Sequence, residues 1–217
     1  MCFSAPVSFI SSAGLLLLGG ASYATAQKKD KILVAIPVMF GLQQAFEGLQ
    51  WLYLDHGSRS LPAAYGFLFF ALSVWPAYVP SFAYVMDKKH RKILRWFMVM
   101  GAAVALYFVG IMLTQHVRVH VYQGSIRYSF HFPNEYPVLA GYLIAIFGSL
   151  FVSSRPIFRW FGLAISVLSF IAWRIYMMDF ISVWCFFAAV VSSIFFVYIQ
   201  YDRSVKRRRL LPSRQTA

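Results

Sequence analysis

Seven long apolar segments, separated by connections that contain the polar residues, limit the fold of this chain more than any other feature. A helix needs about 20 mostly apolar residues to cross a bilayer. Segments of about that size occupy residues 7–26, 33–54, 63–86, 94–115, 136–153, 156–177 and 180–201. Charged residues make up only 12% of the chain, against about 25% in soluble domains, which is too few to cover a water-soluble fold. The sequence therefore predicts an all-α membrane protein with seven transmembrane helices.

Basic residues are shared unequally between the two sets of connections. One side collects the Lys and Arg residues of 28–31, 88–95, 155–159 and 203–214, whereas the other side has Arg59, Arg118, Arg127 and Arg174. The positive-inside rule then predicts an external N-terminus and a cytoplasmic C-terminus. This topology also accounts for the formal charge of +13, so we expect no nucleic-acid partner.

The chain shows no linker or internal repeat, and we divide it into two parts. Residues 1–202 form the transmembrane domain, and residues 203–217 form a basic cytoplasmic tail. Polybasic segments next to a membrane span are attracted to anionic lipid headgroups. The lipid bilayer is therefore the partner that the sequence predicts directly, and the oligomeric state stays open.

The second apolar segment carries polar side chains at bilayer depth. Gln43, Gln44, Glu47, Gln50 and Trp51 follow one another at spacings that place them on one face of a helix. A carboxylate inside a membrane is costly, and its default interpretation is a functional group that faces the bundle interior. The segment therefore predicts a polar pocket, centred on Glu47 and open to the outside.

Two further charged residues are expected at the same depth. Arg174 lies near the outer end of the sixth predicted span, and Asp179 opens the seventh. Two hypotheses stay open for this layer. Glu47 and Arg174 form a buried ion pair that holds two helices together, or these groups line a pocket that binds a solute or moves a proton.

Residues 116–132 alternate between polar and apolar side chains with a period of two, which predicts an outer β-hairpin that turns at Gln123-Gly124. The register pairs Arg118 with Ser129 and His120 with Arg127, and we expect the apolar face to cover the bundle as a lid. The same register opposes His116 and His131, the two weak candidates for a metal site. Two ligands do not make such a site, so none is predicted.

The two cysteines, Cys2 and Cys185, are both expected in the outer half of the protein. A disulfide between them is one hypothesis, because an external compartment permits oxidation. The other is that Cys185 is a small apolar side chain in the bundle.

Four segments carry a family resemblance: MCFSA at residues 1–5, QQAFEG at 43–48 with Trp51, Trp75-Pro76, and SVWCFFAA at 182–189. Together they resemble a family of bacterial integral membrane proteins that has no assigned function. The resemblance implies a multi-pass protein of the bacterial cytoplasmic (inner) membrane, and it transfers no activity. It directs attention to Cys2, Gln44, Glu47, Trp51 and Cys185.

Three functional hypotheses follow from these observations. In the first, the pocket at Glu47 binds or transports a small polar or amphiphilic ligand. In the second, the protein is a membrane-embedded lipid hydrolase, with Glu47 or Cys2 as base or nucleophile and histidines that hold a metal. In the third, it is an accessory subunit that docks on another membrane protein through its aromatic surface. The sequence predicts no particular cofactor and does not decide whether the protein is an enzyme.

Overall fold

The computed structural model describes residues 4–26, 31–122, 124–175, 184–185 and 187–193. Among these residues, six helices are long and apolar enough to cross a membrane. They are α1 (Ala5–Thr25), α2 (Lys31–Asp55), α3 (Leu61–Met86), α4 (Arg91–Thr114), α5 (Glu135–Val152) and α6 (Pro156–Ile175). The first six predicted spans are thus confirmed as helices. Most of the seventh, 180–201, lies outside the described residues, of which 184–185 and 187–193 are helical.

The predicted hairpin is confirmed as a pair of antiparallel strands, β1 (Arg118–Tyr122) and β2 (Ser125–Ser129). Its register pairs Arg118 with Ser129 and His120 with Arg127, as the alternation predicts. The strands are shorter than residues 116–132, so neither His116 nor His131 belongs to the ladder. Val119 and Ile126 are buried, and the ring of Tyr128 stacks on Phe67 of α3 at 5.0 Å. The apolar face therefore packs on the bundle at what we call the hairpin end.

Helices α1 and α2 pack closely because small residues lie at their contact. A Cβ atom added at Gly19 would lie 2.6 Å from the Val38 side chain, and one added at Gly41 would lie 2.8 Å from Leu16. Ser12 adds a hydrogen bond from its hydroxyl to the Gly41 carbonyl oxygen at 2.8 Å. Close approach through small residues is the usual way in which membrane helices associate. This contact fixes the side of α2 that faces the interior.

Helix α3 widens into a π-helical segment, Phe69–Val74, immediately before Trp75-Pro76. Pro76 has no N–H to donate, and the N–H of Trp75 bonds to the carbonyl of Phe70, five residues earlier. The Ala71 carbonyl instead accepts a hydrogen bond from the hydroxyl of Tyr142 on α5 at 2.7 Å. The proline-induced distortion thus provides an acceptor that ties α3 to α5.

Tyr142→Phe is expected to destabilise the folded protein by about 1 kcal/mol, because the Ala71 carbonyl loses its side-chain donor. Reversible unfolding of the purified protein in mixed micelles measures this difference. The matched control is Tyr136→Phe, since the Tyr136 side chain on the same helix is 88% exposed. Equal stability of the two variants would show that the bond to Ala71 contributes nothing.

The connection between α3 and α4 is joined to the connection between α5 and α6 by one buried carboxylate, Asp87. One oxygen accepts from the Ser153 hydroxyl at 2.9 Å and from the backbone N–H of Ser154; the other accepts from the backbone N–H groups of Lys89 at 2.9 Å and His90 at 3.2 Å. Burial alone would raise the pKa of Asp87, but these donated hydrogen bonds hold it well below the ordinary value. We call this cluster the Asp87 clasp, and the end of the bundle that contains it the basic end.

Candidate functional site: a buried polar layer on α2

Four polar side chains of α2 are completely buried: Gln43, Gln44, Glu47 and Gln50 are all 0% exposed. The apolar side chains Leu42, Leu49 and Leu52 of the same helix are exposed. Helix α2 therefore has the reverse of a soluble amphipathic pattern, with its polar face inward. Because apolar side chains face lipid and polar groups face the bundle in membrane helices, this supports the predicted orientation of Glu47.

Two hydrogen bonds within the layer fix the orientation of two amide groups. The indole Nε1–H of Trp75 donates to Gln43 Oε1 at 2.7 Å, and Gln44 Nε2 donates to Glu47 Oε2 at 3.3 Å. An indole N–H only donates, so the oxygen of Gln43 must face Trp75. A carboxylate only accepts, so the nitrogen of Gln44 must face Glu47. Two amide atoms are left for other partners: the Nε2 donor of Gln43 and the Oε1 acceptor of Gln44.

These remaining atoms have no hydrogen-bond partner within the part of the chain that the structure describes. They are Gln43 Nε2 and Gln44 Oε1, and both amide atoms of Gln50 on the same face are likewise without a partner. A buried polar group without a partner costs about 1–3 kcal/mol, and most buried polar groups in folded proteins are paired. One face of α2 therefore carries several unused donors and acceptors, spread over the two turns from Gln43 to Gln50.

An apolar cavity lies beside the layer, next to Gln43. It is lined in part by Phe40 and Trp75, whose rings stack at 3.9 Å, and by Cys185, which lies close to both Gln43 and Glu47. Its volume is about 30 Å³, enough for one or two water-sized groups. The site thus combines polar atoms on α2 with a small apolar space.

The layer is closed, which differs from the predicted pocket open to the outside. The glutamines and Glu47 expose no surface, and Trp51 beside them is only 5% exposed. The ring of Trp75 from α3 covers part of this face, and the buried side chain of Cys185 lies against Gln43 and Glu47. Alternation and spacing predict which side chains share a face, but not how completely neighbouring helices cover it.

The other predicted site residues are distributed as follows. Arg174 lies in the last turn of α6 and is exposed, so we leave it out of the site. Cys185 is buried as a free thiol. Cys2 and Asp179 lie outside the described residues, so the predictions made for them are untested.

The histidines of the hairpin region lie at the surface. His116 and His131 are both exposed, and His131 Nδ1 lies 3.8 Å from Glu135 Oε1. Across the described residues, no group of three or more His, Cys, Asp or Glu side chains is arranged to hold a metal ion. Neither the hydrolase hypothesis nor the accessory-subunit hypothesis gains support from this part of the chain.

Sequence reasoning missed one feature of this site. The pairing of Gln43 with Trp75 was not predicted, although both residues stand in segments that carry the family resemblance. Contacts between residues this far apart in sequence have no local signal.

One family model matches nearly the whole chain, residues 1–210, and it is described as a family of unknown function (DUF6629). No curated protein and no solved structure matches the chain significantly.

Proposed function

We propose that this chain, which belongs to the family of unknown function DUF6629, binds a small polar or amphiphilic solute at the buried polar layer of α2. The observation that carries the proposal is the set of unpartnered amide atoms on Gln43, Gln44 and Gln50. A bound solute that pairs with them offsets the cost of burying them. Glu47 adds a carboxyl group to the same layer.

The unused atoms define the chemistry of the solute. Gln43 Nε2 lies beside the Cys185 sulfur, which is only a weak acceptor, so it requires a stronger one. Gln44 Oε1 requires a donor, and Gln50 offers one donor and one acceptor. A carboxamide, a urea or a hydroxylated compound supplies both functions within a few atoms. Among the described residues, no Lys or Arg side chain lies in the buried layer, so an anionic solute would be buried there without a cationic partner, which is costly. The proposed class is therefore neutral or cationic.

The cavity beside Gln43 limits the apolar part of the solute. A volume of about 30 Å³ accepts only one or two carbon-sized groups without movement of the lining side chains. An amphiphile fits best when its polar group reaches the α2 amides and its short apolar group occupies the cavity lined by Phe40, Trp75 and Cys185. Since the layer is closed, entry or release requires displacement of a covering helix or side chain.

The membrane topology proposed for this function has seven spans, an external N-terminus and a cytoplasmic C-terminus. Lys88 and Lys89 of the connection between α3 and α4, with Arg91 and Lys92 of the first turn of α4, lie at the basic end, opposite the hairpin. The positive-inside rule then places the hairpin outside, and the family resemblance of the sequence suggests the bacterial cytoplasmic membrane. With this orientation the solute enters or leaves on the outer side, where the hairpin covers α3.

Two substitutions on α2 test the proposal as a pair, since both glutamines are fully buried but only Gln43 accepts a hydrogen bond from another side chain among the described residues. Gln50→Leu removes two unpartnered polar atoms, so the ligand-free protein is expected to become more stable by about 1–2 kcal/mol. Gln43→Leu leaves the Trp75 N–H without its acceptor, so it is expected to destabilise by a similar amount. Thermal and chemical unfolding in detergent micelles measures both differences.

The same unfolding measurements are repeated in the presence of N-alkylacetamides of increasing chain length, from acetamide itself to N-butylacetamide. Stabilisation of the wild-type protein is expected to grow until the alkyl group fills the cavity and then to fall. Gln50→Leu is expected to abolish this stabilisation, and Leu49→Ala, at an exposed position of the same helix, to preserve it. A destabilising Gln50→Leu, or equal responses of all three proteins to every probe, would contradict the proposal.

A further inference from the structure

The first turns of α6 and the end of α5 form an open groove at the basic end of the bundle. Its walls are apolar except for one guanidinium, and its volume is about 300 Å³. Five residues line it: Phe151, Pro156, Arg159, Trp160 and Leu163. The groove is separate from the polar layer of α2 and shares no residue with the cavity beside Gln43.

Arg159 is held at the mouth of this groove by the adjoining connection. Its Nε donates to the carbonyl of Ser153 at 3.0 Å, and its Nη2 donates to the carbonyl of Ser154 at 3.4 Å. The third guanidinium nitrogen, Nη1, has no protein acceptor within the described residues, and the side chain is exposed. An arginine fixed through two nitrogens presents the rest of its fork to an anion at little further entropic cost.

The aromatic and apolar walls indicate where the groove lies relative to a bilayer. Trp160 is 69% exposed on a helix apolar enough to cross a membrane, and it lies one turn from the helix start. Exposed tryptophans at this position are typical of the layer between headgroups and acyl chains. Phe151 and Leu163 are also exposed and continue the apolar surface toward the membrane centre.

The charge around the groove is strongly positive. Arg155 and Arg159 lie beside it, and the neighbouring connection adds Lys88, Lys89, Arg91 and Lys92. Among the described residues at this end, Asp87 is the one carboxylate, and it is buried within the Asp87 clasp, where four donors engage its oxygens. The accessible charge therefore complements an anion.

We propose that this groove is a binding site for one anionic phospholipid of the surrounding bilayer. The headgroup phosphate accepts from the Arg159 guanidinium, and one acyl chain lies along Trp160, Leu163 and Phe151. A basic pocket next to membrane helices on the cytoplasmic side is a common arrangement for anionic lipid headgroups. The occupant is a lipid rather than a soluble anion because the groove continues as apolar surface below the guanidinium.

Native mass spectrometry of the full-length protein in mixed micelles tests this site with phosphatidylglycerol and phosphatidylcholine of identical acyl chains. The wild-type protein is expected to retain phosphatidylglycerol over phosphatidylcholine by roughly fivefold, the effect of one basic residue near a membrane surface. Arg159→Gln is expected to abolish the preference, and Arg159→Lys to keep only part of it, because the charge remains but the fixed guanidinium is lost. Trp160→Ala, at a mostly exposed position, is expected to reduce retention of both lipids.

Arg118→Gln, on the hairpin at the opposite end, is the control and is expected to leave the preference unchanged. Equal retention of the two lipids by the wild-type protein would overturn the proposal, as would an Arg159→Gln variant that keeps the full preference. A lipid-free dimer that Trp160→Ala converts to a monomer would also overturn it, since a second copy would then cover the groove.

Discussion

Gly101→Ala is expected to prevent most of the protein from reaching its folded state in the membrane. A Cβ atom at this position of α4 would lie 1.9 Å from the carbonyl oxygen of Pro76 and 3.0 Å from the ring of Pro80. The obstacle is backbone that two prolines hold in place, so no side chain can rotate away. Overpacking of this kind costs about 3 kcal/mol. Yield of monodisperse protein and its unfolding midpoint measure the loss.

The matched control for this substitution is Gly110→Ala on the same helix. A Cβ atom at Gly110 meets no atom within 4 Å, and alanine is the better helix former, so stability is expected to stay equal or rise slightly. If both variants lose stability equally, the contact between Gly101 and Pro76 does not determine how α4 packs on α3.

Asp87→Ala is expected to destabilise the protein by about 3 kcal/mol, because the Asp87 clasp joins two connections through charge-assisted hydrogen bonds. The substitution leaves the Ser153 hydroxyl and three backbone N–H groups without their acceptor. Asp55→Ala, at an exposed position at the end of α2, is the control and is expected to be nearly neutral. Chemical unfolding in mixed micelles separates the two outcomes.

The same carboxylate is expected to make stability depend on pH in the acidic range. The pKa of Asp87 is lowered in the folded state, so its contribution is fully present above the unfolded value, about 3.9, and is lost as the pH falls toward the folded value. Wild-type stability should therefore drop below about pH 4 more steeply than that of Asp87→Asn. Parallel acid profiles for the two proteins would show that another group causes the loss.

The helices and the hairpin followed from the sequence because both are patterned locally. Apolar length predicts the spans, and a period of two predicts the register in which Arg118 faces Ser129. Spacing also places Glu47 and three glutamines on one buried face. These features depend on neighbours along the chain, so they need no knowledge of tertiary contacts.

The Asp87 clasp, the paired Gln43 and the position of Arg174 were not predictable in this way. Asp87 meets Ser153 across 66 residues, and Trp75 meets Gln43 across 32. Which amide atoms are satisfied depends on the exact rotation of α2 against α3, including the π-helical segment before Pro76. An ion pair between Glu47 and Arg174 was one of two hypotheses for this layer, and Arg174 is exposed in the last turn of α6.

The buried amides of α2 are the basis of the proposed function, and an experimental structure in lipid nanodiscs at side-chain resolution tests them most directly. We expect non-protein density within hydrogen-bond distance of the Gln50 amide, with Gln43 still bonded to Trp75. Gln50 fully paired by protein side chains, or a Glu47 that points at lipid, would contradict the account.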